Sequence, residues 1–86
     1  MFVECQHNDT QLIVPEAAIR FVELGRDRLS IYTTDGDCVS LLGSPAQLWE
    51  AYTQIRDAFG RPGYRVDLTW LDELESPAPE GVATGD

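Results

Sequence analysis

The sequence predicts an α+β fold: an antiparallel sheet of four to six short strands, with one amphipathic helix at about residues 44–59 packed on one face. Three observations support this class. The chain has 86 residues, enough for one small domain. Before residue 44, short apolar stretches alternate with polar turns, as in antiparallel strands. After it, apolar residues recur at helical spacing, and a further strand should follow. We expect a single domain over residues 1–71 and a disordered acidic tail over residues 72–86.

The first two strands are expected to form a hairpin. The segment FVECQ (residues 2–6) alternates weakly, the run HND has the chemistry of a turn, and QLIV (residues 11–14) is the second strand. Pro15 cannot donate a hydrogen bond to a strand ladder, so the second strand should end there. The following residues can form a single helical turn, because proline is tolerated at the first helical position.

Three further strands, within AIRFVEL, LSIYTT and CVSLL, have a register that the apolar pattern selects. A four-residue loop after Leu24 places that residue opposite Leu29. A three-residue loop with Gly36 in the left-handed conformation places Leu29 opposite Leu41. Both choices bring the same six apolar residues to one face, whereas a slip of one residue would scatter them. These residues are Val22, Leu24, Leu29, Ile31, Val39 and Leu41.

The helix SPAQLWEAYTQIRDAFG is the clearest element. Ser44 suits the N-cap, Pro45 suits the first helical position, and Gln47 completes a capping box. Gly60 is placed for a C-terminal cap. Apolar residues at i, i+4, i+7 and i+11 form a stripe that should face the sheet. The stripe consists of Leu48, Tyr52, Ile55 and Phe59, with Ala51 and Ala58 beside it.

The segment YRVDLTW (residues 64–70) alternates apolar and polar residues. It forms either another strand of the sheet or an extended segment that pairs elsewhere, in this chain or with a neighbouring one. The rest of the chain is short of large apolar residues and rich in proline, glycine and acids, a composition typical of disorder.

Charge and composition exclude several classes of function. Fifteen acids against six arginines and no lysine give a net charge of −9, which opposes direct binding to nucleic acid. No apolar run approaches the roughly 18 residues of a membrane span. The first residues lack the basic and apolar regions of a signal peptide, so we expect a cytoplasmic protein.

Motifs that carry chemistry are missing from the sequence. No glycine loop has phosphate-binding spacing and no nucleophile elbow occurs. Cys5, His7 and Cys38 lack the spacing of a zinc site, and both cysteines are expected in the core. Asp35 and Asp37 flank a turn glycine and are interpreted as turn residues. We therefore predict no catalytic residues, no cofactor and no metal.

The predicted register leaves a second group of residues on the opposite face of the sheet. They are Ile19, Phe21, Glu23, Ser30, Tyr32, Cys38 and Ser40. Three large apolar residues on a free sheet face need a cover, either residues 64–70 or a hairpin of this chain, or a second copy or another protein. Trp49 lies at the margin of the helical stripe, where it either packs against residues 64–70 or anchors a partner. Aromatic residues dominate binding hot spots, so the candidate protein-binding residues are Phe21, Tyr32, Trp49, Tyr64 and Trp70.

The order of elements also suggests a family. FVECQHNDTQLIV followed by AIRFVELGRDRLSIYTTDGDCVSLLGSPAQLWEAYTQI, roughly residues 2–56, resembles the small FlbD/SwrD-like flagellar proteins of bacteria. The resemblance implies an N-terminal hairpin, three strands joined by tight turns, and a capped helix. The family's asparagine-rich opening is reduced here to HND, and residues 64–74 are additional. IRFVELGRDRLSIYTTDG also looks like part of a LytTR-type DNA-binding domain, although the acidic charge opposes DNA binding.

Two functions from different classes remain. The first is a non-catalytic protein-interaction or regulatory module that binds a protein partner, or a second copy of itself, through its outer sheet face. The alternative is an acidic inhibitor that mimics nucleic acid and blocks a basic protein partner.

Overall fold

The computed structural model describes residues 1–7 and 9–73 and confirms the α+β class. Strands β1 and β2 are followed by a single 3-10 turn at Glu16–Ala18, strands β3 to β5, helix α1 and strands β6 and β7. Their bounds are Phe2–His7 for β1, Thr10–Pro15 for β2, Ile19–Leu24 for β3, Arg28–Thr33 for β4, Cys38–Leu42 for β5, Pro45–Ala58 for α1, Arg65–Asp67 for β6 and Asp72–Glu73 for β7. No helix among these residues is long and apolar enough to cross a membrane.

The strands divide between two small sheets. The first sheet has the order β2-β1-β6, and the second has the order β3-β4-β5-β7. Strand β6 runs parallel to β1, with Val66 beside Val3. The first and second sheets separate because β2 ends at Pro15 and the 3-10 turn redirects the chain before β3 begins. Residues 64–70 therefore contribute a short strand to the first sheet, so this segment pairs within the chain.

The predicted register of the second sheet is confirmed at every apolar pair. Leu24 lies opposite Leu29, and Leu29 lies opposite Leu41. Gly36 has φ of 95°, the left-handed conformation that its three-residue loop requires. This agreement arises because both turns are local and only one register keeps all the apolar residues on one face.

The placement of Ile19 on the outer face was wrong. Ile19 pairs with Thr33 and Phe21 pairs with Tyr32, so β3 has a bulge that makes Arg20 an extra residue. A bulge reverses the alternation of the residues before it. Ile19 consequently packs against the core, while Phe21 stays on the outer face.

The helix begins and caps as predicted, but its apolar stripe is one residue shorter. The Ser44 side chain accepts a hydrogen bond from the backbone N–H of Gln47, and the Gln47 side chain accepts one from the backbone N–H of Ser44. Phe59 is the C-cap, with extended ψ of 133°, so it leaves the helical periodicity and is exposed. Gly60 follows with φ of 84°.

One core joins both sheets and the helix, which packs against β3, β4 and β6. Its buried apolar residues are Met1, Val3, Cys5, Val14, Leu29, Ile31, Val39, Leu41, Leu48, Ala51, Ile55, Ala58, Val66, Leu68 and Leu71. Cys5 is a core residue as expected, whereas Cys38 is exposed, so the prediction of a buried Cys38 was wrong. Cys38 lies opposite Tyr32, on the face of the second sheet that points away from the core.

The last strand begins inside the predicted acidic tail. Asp72 and Glu73 pair with Leu42 and Leu41 at the edge of the second sheet. The predicted disorder of the remaining tail, residues 74–86, lies outside the described residues.

Candidate functional site

The second sheet turns one face away from the core, and we call this the outer face. Its residues on β3, β4 and β5 are Phe21, Glu23, Ser30, Tyr32, Cys38 and Ser40. Phe21 and Tyr32 are direct cross-strand neighbours, and their rings stack with centroids 4.4 Å apart and planes inclined by 27°. Phe21 keeps 48% of its surface exposed. The stack fixes the orientation of two aromatic rings and stabilises the β3–β4 pairing.

An open depression of about 410 Å³ lies beside the stacked rings. It is lined by Glu23, Gly25, Asp27, Arg28, Ser30, Tyr32, Cys38 and Ser40. The side chains of Ser30 and Ser40 are directly opposite each other on the central strands, with their hydroxyl oxygens 3.4 Å apart. Because these side chains are short, the sheet is hollow between Tyr32 and the β3–β4 turn. Hydroxyl, carboxylate and guanidinium groups therefore surround a recess next to an aromatic wall.

Tyr32 presents a hydrogen-bonded hydroxyl at the edge of this depression. Its hydroxyl donates to Glu23 Oε1 at 3.1 Å. This hydrogen bond, together with the negative charge of Glu23, raises the pKa of Tyr32. Tyr32 thus stays protonated, and the hydrogen bond to Glu23 on the neighbouring strand holds its ring in place.

The other three predicted binding residues lie elsewhere on the molecule. Trp49 projects from the helix and stacks on Tyr52 at a centroid distance of 5.9 Å. The Tyr64 ring lies 5.4 Å from the guanidinium carbon of Arg61. Trp70 follows β6, and its Nε1 donates to the backbone oxygen of Asp67 at 2.7 Å. The helix packs on the core side of the second sheet, so Trp49 does not join the Phe21–Tyr32 stack.

A charge cluster on the first sheet was not predicted. The parallel pairing places Glu4 beside Asp67, and Arg65 reaches both carboxylates, at 2.5 Å from Glu4 and 3.5 Å from Asp67. Hydrogen bonding to Glu4 raises the pKa of Arg65. A sign in the sequence was present, since charged residues alternate with apolar ones in both segments: Glu4 in FVECQ, and Arg65 and Asp67 in YRVDLTW. The pairing of these two segments, however, could not be read from either one.

Asp67 also closes the turn after β6. Its Oδ1 accepts hydrogen bonds from the Thr69 hydroxyl at 2.6 Å and from the Thr69 backbone N–H at 2.9 Å. These bonds, and the positive charge of Arg65, lower the pKa of Asp67.

We expect Asp67 to make the free energy of unfolding depend on pH. Because the pKa of Asp67 is lower in the folded chain, its carboxylate contributes stability above the unfolded aspartate pKa of about 3.9, and this contribution is lost as pH falls through the folded pKa. The difference in urea stability between the wild type and Asp67→Asn should therefore shrink between about pH 5 and about pH 2. A difference that stays constant over this range would contradict the assignment.

The residues suggested as turn residues behave as such. The Thr33 hydroxyl donates to the Asp35 carboxylate, and the backbone N–H of Asp37 donates to Asp35 Oδ1 at 3.3 Å. The Thr33 hydroxyl bond lowers the pKa of Asp35. Within residues 1–7 and 9–73, no three His, Cys, Asp or Glu side chains are grouped so that they could hold a metal ion.

Comparison of the chain with protein-family models, with curated proteins and with solved structures found no match. The resemblance to the FlbD/SwrD-like proteins therefore stays a prediction.

Proposed function

We propose that this protein is a non-catalytic interaction module of the adapter or regulator kind, and that the outer face is its binding surface. The observation that carries the proposal is the stacked Phe21–Tyr32 pair, which stands on a face that no other part of the described chain covers. Helix α1 packs on the opposite side of the second sheet, and β6 belongs to the first. The cytoplasmic location stays a prediction from the sequence.

The chemistry of the outer face suits a protein partner. Aromatic side chains supply a large contact area at a small cost in conformational entropy, and they are enriched in binding hot spots. The depression next to Tyr32 has room for a side chain of the partner. The hydroxyl of Ser40 and the carboxylate of Glu23 can satisfy polar groups that a partner would bury there. The outer face thus combines an apolar anchor with a polar recess.

The alternative function, an acidic inhibitor that mimics nucleic acid, has less support. A mimic needs carboxylates that project from a rigid surface without being neutralised. Glu4 and Asp67, which lie on paired strands of the first sheet, both contact Arg65. On the outer face, the ion pair of Asp27 with Arg28 offsets negative charge in the same way. We therefore propose the interaction module alone.

The proposal is tested by comparing Phe21→Thr with a matched control, Phe59→Thr. Both phenylalanines are exposed to a similar degree, 48% and 45%, but only Phe21 lies on the outer face. Threonine retains strand propensity at position 21. Each tagged full-length variant is used to capture partners from cells of the source, and each captured partner is produced pure and its affinity measured.

The expected result is a purified partner, either another protein or this chain, that binds the wild type and the Phe59→Thr variant with equal affinity and Phe21→Thr at least about tenfold more weakly. Circular dichroism must show that both variants are folded. If every partner binds Phe21→Thr as tightly as the wild type, the outer face is not the binding surface.

A further inference from the structure

Among residues 1–7 and 9–73, strand β3 forms an edge of the second sheet and pairs on one side only, with β4. The backbone N–H of Gly25 donates to the oxygen of Arg28 at 2.8 Å. Hydrogen-bonded pairs alternate along an antiparallel ladder, so Glu23 and Phe21 also direct their backbone groups toward β4. Val22 and Leu24 then direct theirs away from the sheet. An open row of such groups is a template for another strand.

The charges on this edge differ from those of the whole chain. Residues 19–33, which make up β3, β4 and their turn, contain three of the six arginines and two acids, a net charge of +1 on a chain of net charge −9. Arg20 and Glu23 lie near the two ends of β3, and the Arg20 guanidinium carbon is 5.8 Å from the centroid of the Phe21 ring. This edge is therefore a place where two copies of an acidic chain can approach with little repulsion.

We infer that β3 pairs with β3 of a second copy of this chain, antiparallel and across a two-fold axis at Val22. That register uses the open backbone groups of Val22 and Leu24 and places Glu23 of one copy opposite Phe21 of the other. Arg20 lies over Phe21, so each Arg20 meets a Glu23 of the other copy, and the two-fold axis makes this contact twice. The two outer faces join into one continuous surface with both aromatic stacks near its centre. The inference rests on the proposed function in one respect only: it makes a second copy of this chain the partner that lies beside the outer face.

Exchange of charge between positions 20 and 23 tests the pairing. Arg20→Glu brings like charges together twice, and so does Glu23→Arg. We expect each variant alone to dimerise at least about tenfold more weakly than the wild type, as measured by sedimentation velocity of the full chain. An equal mixture of the two variants should recover a dimer of one copy of each. The double variant Arg20→Glu/Glu23→Arg should dimerise within about threefold of the wild type.

Matched controls change the same charges away from the edge. Glu50→Arg and Arg56→Glu change exposed residues of helix α1, which packs on the core side of the second sheet, and they should dimerise as the wild type does. A wild type that stays monomeric at every concentration overturns the inference. The inference is also overturned if the variants at positions 20 and 23 weaken dimerisation no more than the controls do. It is overturned as well if the equal mixture of Arg20→Glu and Glu23→Arg does not form a dimer.

These outcomes are separable from those of the proposed function. A monomeric wild type that still binds another protein through Phe21 overturns the strand pairing and leaves the binding surface in place. If dimerisation changes with the charges at positions 20 and 23 as expected, the strand pairing is supported. If partners then bind Phe21→Thr as tightly as the wild type, the proposed binding surface is overturned.

Discussion

Replacing Val66 with aspartate is expected to unfold the protein. Val66 is only 1% exposed and lies beside the fully buried Val3, where β6 pairs with β1. A carboxylate at this position would lose its hydration without gaining a partner, at a cost of at least about 5 kcal/mol. A domain of this size is stable by only about 5–10 kcal/mol. Far-ultraviolet circular dichroism and urea unfolding measure the outcome.

The control for this prediction is Ile13→Asp, which introduces the same charge into the same sheet. Ile13 is 58% exposed, so its aspartate stays hydrated and should change the free energy of unfolding by less than about 1 kcal/mol. A folded Val66→Asp protein as stable as Ile13→Asp would show that β6 is not part of the core.

Replacing Leu48 with alanine is expected to reduce the free energy of unfolding by about 3 kcal/mol. Leu48 is fully buried in the first turns of α1, where the helix packs against the sheets. Truncation removes the favourable transfer of its side chain from water and leaves a cavity that a rigid core only partly fills. Urea unfolding measures this loss. If the slope of the free energy of unfolding against urea concentration is unchanged, the loss arises in the folded state.

The neighbouring residue provides the control. Trp49→Ala removes a larger side chain, but Trp49 is 54% exposed and its ring contact is with Tyr52 on the same helix. Its loss should cost less than about 1.5 kcal/mol, mainly the stacking with Tyr52. If Trp49→Ala were the more damaging of the two, the helix would have to present a different side to the sheets.

The candidate site was partly predictable. The register of β3 and β4 predicted Phe21 and Tyr32 on one face, and in the structure their rings stack. The depression at Ser30 and Ser40 was not predicted, because a hollow arises from the shape of neighbouring side chains rather than from their pattern. Trp49, Tyr64 and Trp70 satisfied the same aromatic criterion but project from the helix and from the segment around β6. Aromatic character alone does not say which exposed rings share a surface.

Interactions between near neighbours in the chain were determined by the sequence itself. The Ser44–Gln47 capping box, the left-handed Gly36 and the register of β3, β4 and β5 each depend on residues a few positions apart, so turn chemistry and apolar spacing suffice. The parallel pairing of β1 with β6 was decided only by the tertiary structure. It brings Glu4 and Arg65 together across 61 positions, and many partners compete for an open strand edge at that separation. The pairing that forms is the one that lets the whole chain bury the most apolar surface. Here Val66 and Leu68 complete the core shared by both sheets and the helix.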